Sequence, residues 1–235
     1  MQQLICDLSE TMSKALFPND VDFFGLKVSP SFISALIVSA FLIVAAIIIR
    51  VFVIPRFKKV PGKFQILLES LVGYFDNLAK SNSPAHNSFV GMYVFVAGVY
   101  IFFGTIIELF GFRAVLGDLN SCFVLGICSY LVILIGGLVH NKARGFAALK
   151  DFSLPFSMSF RLFGAIISGV LVTELIYEGF AVISYTVVVP VFVSVLFTLL
   201  HAVIQAYVLT MLTAMFFGEN TEPHLKDNKK RKLKK

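Results

Sequence analysis

The stretch SMSFRLFGAIISG, residues 157–169, decides the fold, because it places Arg161 inside the most apolar half of the chain. The chain is 57% hydrophobic, whereas average soluble domains are about 45–50% apolar even when glycine is counted. The apolar character continues from residue 152 to residue 217, with an interruption near residues 184–190. Because one membrane-spanning helix needs about 20 apolar residues, this run predicts two long antiparallel helices. The sequence therefore predicts an all-α, polytopic membrane protein.

Three further apolar runs precede this pair, so the sequence predicts five membrane helices. An additional amphipathic helix is predicted within residues 61–87, where Phe64, Leu67, Leu68 and Leu71 recur at helical spacing. We expect this helix to lie at the membrane interface. The predicted spans cover residues 32–54, 89–110, 121–138, 156–183 and 189–217, which together form a membrane domain over residues 32–217.

Positive charges predict the orientation of the chain. Basic residues are dense after the first span, between the third and fourth spans and in the tail, whereas Arg113 is the sole basic residue between the second and third spans. Short cytoplasmic loops collect Lys and Arg. We therefore expect residues 1–31 to be an external N-terminal segment and residues 218–235 to be a basic cytoplasmic tail. The net charge of +6 follows this topology, so nucleic acid is not an expected partner.

The first 31 residues do not resemble a cleaved signal peptide, because they lack a basic start followed by an apolar core. This favours a multi-pass protein of a bacterial inner membrane, although a chain encoded in an organelle would look similar.

Arg161 is the residue that most clearly indicates a function, because it places a permanent charge in an apolar helix. An arginine at the centre of a membrane costs about 2.5–3.5 kcal/mol on insertion scales, and it cannot escape by deprotonation. It should therefore face a carboxylate, water or a partner, unless it extends to the interface from a cytoplasmic helix start. Gly164, Ala165 and Ser168 share its helix face. Small residues of this kind let another helix approach closely.

Polar residues in the last two predicted helices favour a path for ions or protons. Glu174 and His201 fall at similar depths nearer the outer surface, where they could exchange protons in a wet cleft. A packed histidine with no such role is the alternative for His201. Gln205 lies one helical turn further along and at a depth similar to that of Arg161, where its amide could accept a hydrogen bond from the guanidinium.

Four stretches, in the right order across most of the chain, resemble subunit a of F-type ATP synthases. SFRLFGAIISG is similar to the S-x-R-L-F-G-N-x-x-x-G signature of that family, and IQAYVLTMLTAMF is similar to its last-helix motif. VPGKFQILLESLVGYF resembles the segment after the family's first span, and ELFGFRAVLGDLN resembles its loop between the second and third spans.

The resemblance implies an ion-translocating stator subunit that provides two half-channels. Arg161 would face the carboxylates of a rotating ring of c subunits, and Gln205 would be its partner on the last helix. Asp118 and Asn120 match the polar loop near the outward-facing entrance. The last two helices would be strongly tilted along the ring. The implied partners are the c ring, b-type peripheral stalk subunits and the remaining ATP synthase complex, with no active site, cofactor or metal in this chain.

The chain departs from the family pattern at three positions. Ala165 stands where the family usually has Asn, and Val170 stands where it often has an acidic residue or His. Thr198 occupies a position where many members carry Glu or His. Glu174 and His201 lie about one turn from the second and third of these positions and could replace the usual residues.

The principal alternative is a secondary transporter for a small anionic solute that uses Arg161 as a substrate ligand. Such a transporter predicts internal repeats and broken helices near the midplane, whereas five spans do not divide into two halves. An intramembrane enzyme is disfavoured, because no nucleophile, paired-acid or metal-ligand motif is present. The sequence leaves open whether the transported ion is a proton or sodium. The cysteines have neither metal-ligand spacing nor a disulfide pattern; they are Cys6, Cys122 and Cys128.

Overall fold

The structure is a computed structural model. The predicted external segment up to residue 20, most of the charged stretch between the third and fourth spans, and the basic tail beyond Thr221 lie outside the described residues. The described residues are 21–23, 26–57, 62–82, 87–141, 153–183 and 188–221.

Five helices in this described part are long and apolar enough to cross a membrane, which confirms the predicted fold class. The first, α1 (Pro30–Ile48), begins with a proline at its first position, where the missing N–H has no helical partner to lose. The Ser29 side chain caps this end by accepting a hydrogen bond from the Ser31 N–H. The helix then continues through a π-helical turn, Ile49–Val53, and a 3-10 turn, Ile54–Arg56.

The remaining helices follow the predicted order. The interfacial segment forms a helix as predicted, while its position at the membrane surface stays a prediction. The helices are α2 (Lys63–Asn82), α3 (Asn87–Ile106) with a 3-10 turn at Ile107–Phe110, α4 (Leu119–Asn141), α5 (Ser153–Ile183) and α6 (Val188–Thr221). The last two contain 31 and 34 residues, so they fit a bilayer when they tilt or project beyond it.

A short β-hairpin precedes α1, and the sequence analysis did not predict it. Strand β1 (Val21–Phe23) pairs antiparallel with β2 (Leu26–Val28). Strands this short give little periodic signal, since alternation needs about four to eight residues to be visible. The hairpin adds a small element at one end of the bundle without changing its helical architecture.

The core lies between α3, α4, α5 and α6. One fully buried apolar side chain from each helix illustrates it: Ile101, Ile133, Leu162 and Phe217. Helix α6 is central, since it packs against α2, α3, α4 and α5. Two glycines of α4 permit close packing, because an added Cβ at Gly126 or Gly136 would collide with a side chain of α5 or α6.

The loop between α3 and α4 is tied to the start of α1. Gly111, with a φ of 82°, ends the 3-10 turn in the left-handed region that glycine tolerates. Arg113 Nε lies 3.7 Å from Asp118 Oδ1, and the Ser29 hydroxyl donates to the other carboxylate oxygen of Asp118. The start of α1 and the loop between α3 and α4 therefore lie at the same end of the bundle.

Candidate functional site

Arg161 lies on the outer surface of the described chain. Its side chain is exposed, as are Gly164 and Ser168, and an added Cβ at Gly164 would meet nothing within 4 Å. Ala165 is half-buried, so the predicted strip of small residues is present but partly turned inward. The Ser168 hydroxyl donates to the Ala165 carbonyl oxygen at 2.8 Å, so its proton is already used within the helix.

The Arg161 guanidinium makes no hydrogen bond or ion pair with any residue that the structure describes. The opposite face of the same helix is packed, with Leu162 and Ile166 buried in the core. A guanidinium in a membrane helix needs a carboxylate, water or another polar partner. Its partner must therefore come from outside the described part of this chain.

Gln205 lies on the inner face of α6. Its side chain is 4% exposed, and its neighbours Ala202 and Ala206 are also buried. No hydrogen bond joins Gln205 to Arg161 in the described part of the chain. The two residues therefore occupy different faces, one packed inside the bundle and one open to a partner.

A small polar cleft opens between the end of α3, the middle of α5 and α6. Most of its lining side chains carry a hydroxyl, carboxyl or imidazole group, which is unusual in so apolar a bundle. The lining residues are Thr105, Glu108, Ile166, Gly169, Thr173, Phe197, Thr198 and His201.

His201 lies in this cleft with a defined ring orientation. The ring stacks on Phe197, with centroids 6.3 Å apart and an interplanar angle of 24°. Gly169 lies close to the ring, since an added Cβ there would be 3.8 Å from both Nδ1 and Cε1. His201 Nε2 is buried and has no hydrogen-bond partner among the described residues. The imidazole is therefore packed against Phe197 and close to Gly169, while its Nε2 makes no hydrogen bond within the described chain.

Glu108 is the acidic residue that the structure brings into the cleft with His201. The sequence analysis expected Glu174 in this role. Glu174 lies on α5, but its side chain is outside the described residues, so its predicted role stays a prediction. One signal in the sequence could have indicated a role for Glu108, since it is the one acidic residue between residues 87 and 110. Because Glu108 lies near the end of a predicted span, the sequence favoured a position at the membrane interface over a role inside the bundle.

Asp118 and Asn120, predicted near the outward entrance, lie at the loop end of the bundle. Helix α4 begins at Leu119, so Asn120 belongs to its first turn rather than to the loop. The reason is that the Asp118 carbonyl already accepts from the Cys122 N–H at 3.2 Å, which starts the helical pattern. The Asn120 side chain is exposed.

Within the described part of the chain, no group of three or more His, Cys, Asp and Glu residues could hold a metal ion. The polar groups of the cleft include a carboxyl, an imidazole and three hydroxyls. Together with the five membrane helices and the exposed arginine, they define a polytopic membrane protein of the ion-translocating class.

Comparison with known sequences gives the family. The family model for the ATP synthase A chain matches residues 36–218, which include the helices that carry Arg161, Gln205 and the cleft. The chain belongs to this family. It is therefore a multi-pass membrane protein that works within the ATP synthase complex.

Individual relatives are distant, and their alignments cover about two thirds or more of this chain. The ATP synthase subunit a of Parvibaculum lavamentivorans is 25% identical over 195 residues, which cover 70% of this chain and 75% of that protein. The subunit a of Idiomarina loihiensis is 23% identical over 212 residues, covering 70% and 78%. The subunit a of Chlorobium phaeobacteroides is 25% identical over 187 residues, covering 67% and 55%.

Proposed function

We propose that this chain is the ion-translocating stator subunit of a rotary F-type ATP synthase, and that Arg161 faces the carboxylates of the c ring. The observation that carries the proposal is an exposed guanidinium without a partner in the described chain, on a membrane helix whose neighbouring small residues leave space beside it. Membership of the ATP synthase A chain family supports the proposal, because a subunit that works within that complex can meet a partner chain at such a surface.

The chemistry follows from the permanent charge of the guanidinium. A ring carboxylate that leaves the lipid arrives neutral with its ion, and the nearby positive charge favours its ionised form. At an effective dielectric constant of about 20, two unit charges 4 Å apart attract by about 4 kcal/mol, compared with about 1 kcal/mol in water. This attraction releases the ion into one half-channel without holding the ring permanently.

The same charge separates the two half-channels. A cation that crossed directly past Arg161 would dissipate the gradient, and the guanidinium repels it because arginine does not lose its proton in proteins. Each unit charge carried across the membrane is worth about 2.3 kcal/mol per 100 mV, so preventing this leak conserves the energy that drives synthesis.

The secondary-transporter alternative is not favoured. It would place Arg161 in a substrate site between two internal repeats, whereas the guanidinium lies on the outside of the described bundle. The match to the ATP synthase family over most of the chain also supports the stator role.

We further propose a bacterial inner-membrane location, with the N-terminus outside and the C-terminus in the cytoplasm. The charge bias of the loops supports this orientation. The contact between Ser29 and Asp118 is consistent with it, because it joins two segments that the charge bias assigns to the external side. The specific partners proposed are the c ring and the b-type peripheral stalk subunits.

Gly164 provides a test of the face that meets the ring. Gly164→Leu should leave the fold of the chain intact, because nothing in the described bundle lies within 4 Å of an added Cβ. In the assembled complex, the larger side chain would fill the space needed for close helix approach. We expect ATP-driven ion pumping in inverted membrane vesicles to fall by about tenfold, since core overpacking typically costs about 1–3 kcal/mol.

The matched control is Gly73→Leu on α2, where an added Cβ also meets nothing within 4 Å. That variant should pump at the wild-type rate. Equal pumping by the Gly164 and Gly73 variants would show that the Arg161 face does not meet the ring.

The orientation can be tested by labelling single cysteines introduced at Asp22 and Glu69, both exposed, in a chain whose native cysteines are replaced. A membrane-impermeant maleimide should label Asp22→Cys in spheroplasts and Glu69→Cys in inverted vesicles. The reverse pattern would overturn the proposed orientation, and labelling of both sites from one side would show that α1 does not cross the membrane between them.

A further inference from the structure

One hydroxyl-bearing side chain of α6 lies outside the core. The other hydroxyl-bearing side chains of this helix are all buried: Ser194, Thr198, Thr210, Thr213 and Thr221. Tyr207, by contrast, is 44% exposed. Its hydroxyl makes no hydrogen bond with any residue that the structure describes. Tyr207 therefore presents a polar group on the outer surface of α6, whereas Gln205, two residues earlier, is buried.

Tyr207 lies near the middle of its membrane span, which covers Val191–Thr221. It is more than 20 Å along the helix from either end of this span, at about 1.5 Å per residue. Tyrosines of membrane proteins are enriched at the interfaces, where the ring lies in an apolar layer and the hydroxyl meets water. A hydroxyl in an apolar environment is costly unless it finds a hydrogen-bond partner. The partner of Tyr207 must therefore come from outside the described part of this chain.

Tyr207 and Arg161 lie at nearly the same depth. Helices α5 and α6 are joined by a short connection, so they run antiparallel. They meet where an added Cβ at Gly169 would lie 3.8 Å from His201 Nδ1. From this contact, Arg161 lies eight residues back along α5, or about 12 Å, and Tyr207 lies six residues onward along α6, or about 9 Å. Both distances run in the same direction, so the two residues differ in depth by about 3 Å.

The two residues also border the same seam between α5 and α6. On α5, the row Arg161, Ala165 and Gly169 advances by about one turn at each step. It passes from an exposed arginine through a half-buried alanine to the glycine beside His201. On α6, the row from His201 to Tyr207 advances by three residues at each step and passes through an exposed isoleucine to the exposed tyrosine. The guanidinium and the phenol hydroxyl therefore flank the outer seam from opposite sides.

Few charged groups lie near this seam. Arg161 and Glu219 are the charged side chains that the described outer surfaces of α5 and α6 present. Glu219 lies twelve residues beyond Tyr207, or about 18 Å along the helix. The His201 side chain lines the cleft on the other side of the α5–α6 contact. A carboxylate that reached the seam at the depth of Tyr207 would thus meet one permanent charge and one neutral hydroxyl.

We propose that Tyr207 donates a hydrogen bond to each ring carboxylate as it passes Arg161, and that this second donor favours the ionised form of the carboxylate. The inference rests on the proposed function, because the ring supplies the carboxylate. It adds to Arg161 a residue that the sequence analysis did not single out. Its basis is an unpartnered hydroxyl in mid-span, on the exposed face and at the depth of the unpartnered guanidinium.

A neutral donor and a permanent charge act over different ranges. The guanidinium attracts a carboxylate from several ångströms away, because the energy of two charges falls only with the inverse of their distance. A hydroxyl acts only in contact, at about 2.5–2.7 Å between the two oxygens. A hydrogen bond to the charged form of a carboxylate favours that form, so the donor adds to the effect of Arg161 on ion release. The phenol keeps its proton throughout, and no covalent bond is made or broken.

The test is Tyr207→Phe in the assembled complex, measured as the initial rate of ATP-driven acidification of inverted vesicles whose two sides start at the same pH. The change removes one oxygen atom and keeps the ring. Loss of the donor raises the pKa of the ring carboxylate, so the carboxylate keeps its proton more often at low pH. A rise of about one pKa unit lowers the ionised fraction about tenfold below the pKa. We therefore expect about a tenfold loss at about pH 6 and a rate that approaches the wild type at about pH 9.

The same comparison covers a sodium-transporting complex. If the wild type pumps sodium rather than protons, the variants are compared at graded sodium concentrations. The loss in Tyr207→Phe should then be greatest at high sodium, because a carboxylate without its donor keeps the bound ion more often.

The matched control is Tyr74→Phe, an identical chemical change at an exposed position of α2. It should pump at the wild-type rate under every condition. All rates are expressed per assembled complex, so a change in assembly does not imitate the effect. Normal pumping by Tyr207→Phe would overturn the donor role, and a loss of the same size at every pH and every sodium concentration would overturn it too. Tyr207→Leu separates the ring from the hydroxyl, because a loss in this variant together with normal pumping by Tyr207→Phe would assign the residue to packing.

Failure of this inference is distinguishable from failure of the proposed function. If Arg161→Ala abolishes pumping under all conditions while Tyr207→Phe pumps normally, the stator role stands and the second donor is wrong. If Arg161→Ala itself pumps normally, the stator role fails, and the role of Tyr207 at the ring fails with it.

Discussion

Arg161→Ala should abolish ATP-driven ion pumping by the assembled complex while the complex remains present in the membrane. The exposed guanidinium makes no hydrogen bond or ion pair with other described residues that its loss would break, so folding of the chain should be little affected. Once the positive charge of Arg161 is removed, nothing favours the ionised form of the ring carboxylate, and the carboxylate keeps its ion. Inverted vesicles that hydrolyse ATP should therefore show no ion gradient.

Arg161→Lys should also lose coupled pumping. Lysine keeps a positive charge in water, but its ammonium readily loses its proton in an apolar environment, whereas the guanidinium does not. Lysine also concentrates its charge at a point and lacks the planar set of five donors that arginine offers to passing carboxylates. Loss of pumping in both variants would indicate that a permanent, delocalised charge is required.

A second measurement separates the two roles of the guanidinium. Vesicles with Arg161→Ala should show an increased passive ion leak after an imposed gradient, because the barrier between the half-channels has lost its charge. The matched control is Arg50→Ala, which removes another exposed arginine from the end region of α1 and should leave pumping and leak unchanged. Normal pumping by both Arg161 variants would show that this arginine merely extends to the interface.

The sequence predicted the membrane helices well, because their signal is local. The length of an apolar run can be read directly from the sequence, so the five spans and the long final pair could be recognised without knowing which helices pack against each other. The exposed side of α5 was also predictable, since Arg161, Gly164 and Ser168 recur at helical spacing. The structure confirms the five helices and leaves this face free of contacts from the described chain at Gly164.

The polar cleft could not be predicted to the same extent. Counting residues from the interruption near residues 184–190 gives a depth along each of the last two helices, but it does not say which third helix lies beside them. Helix α3 brings Glu108 to His201, and the sequence shows no relation between two residues that are 93 positions apart in the printed numbering. For the same reason, the close approach of α4 to α5 at Gly126 could not be predicted from the sequence, because it depends on how the two helices pack.

That close approach gives the second large prediction. At Gly126→Ala, the new methyl group would collide with Ser159 Oγ and would lie 2.9 Å from the Pro155 carbonyl oxygen. The Ser159 hydroxyl could rotate away only by giving up its hydrogen bond to that carbonyl at 2.6 Å, and the carbonyl itself belongs to the backbone of α5. Helices α4 and α5 would have to separate, and overpacking of this kind typically costs about 1–3 kcal/mol.

Gly126→Ala should reduce ion pumping as well as the stability of the complex. Ser159 lies two residues before Arg161, so a displaced α5 carries the guanidinium away from its position relative to the ring. We expect the purified complex to lose this chain at a lower temperature in detergent, and we expect pumping to fall with it. In an isolated helix the same substitution would be favourable by about 1 kcal/mol. A loss of stability in Gly126→Ala would therefore come from the packing of α4 against α5.

The matched control is Gly73→Ala, at a helical position with nothing within 4 Å of an added Cβ; it should be neutral or stabilising. A Gly126 variant as stable as the Gly73 variant would mean that α4 and α5 do not approach each other this closely.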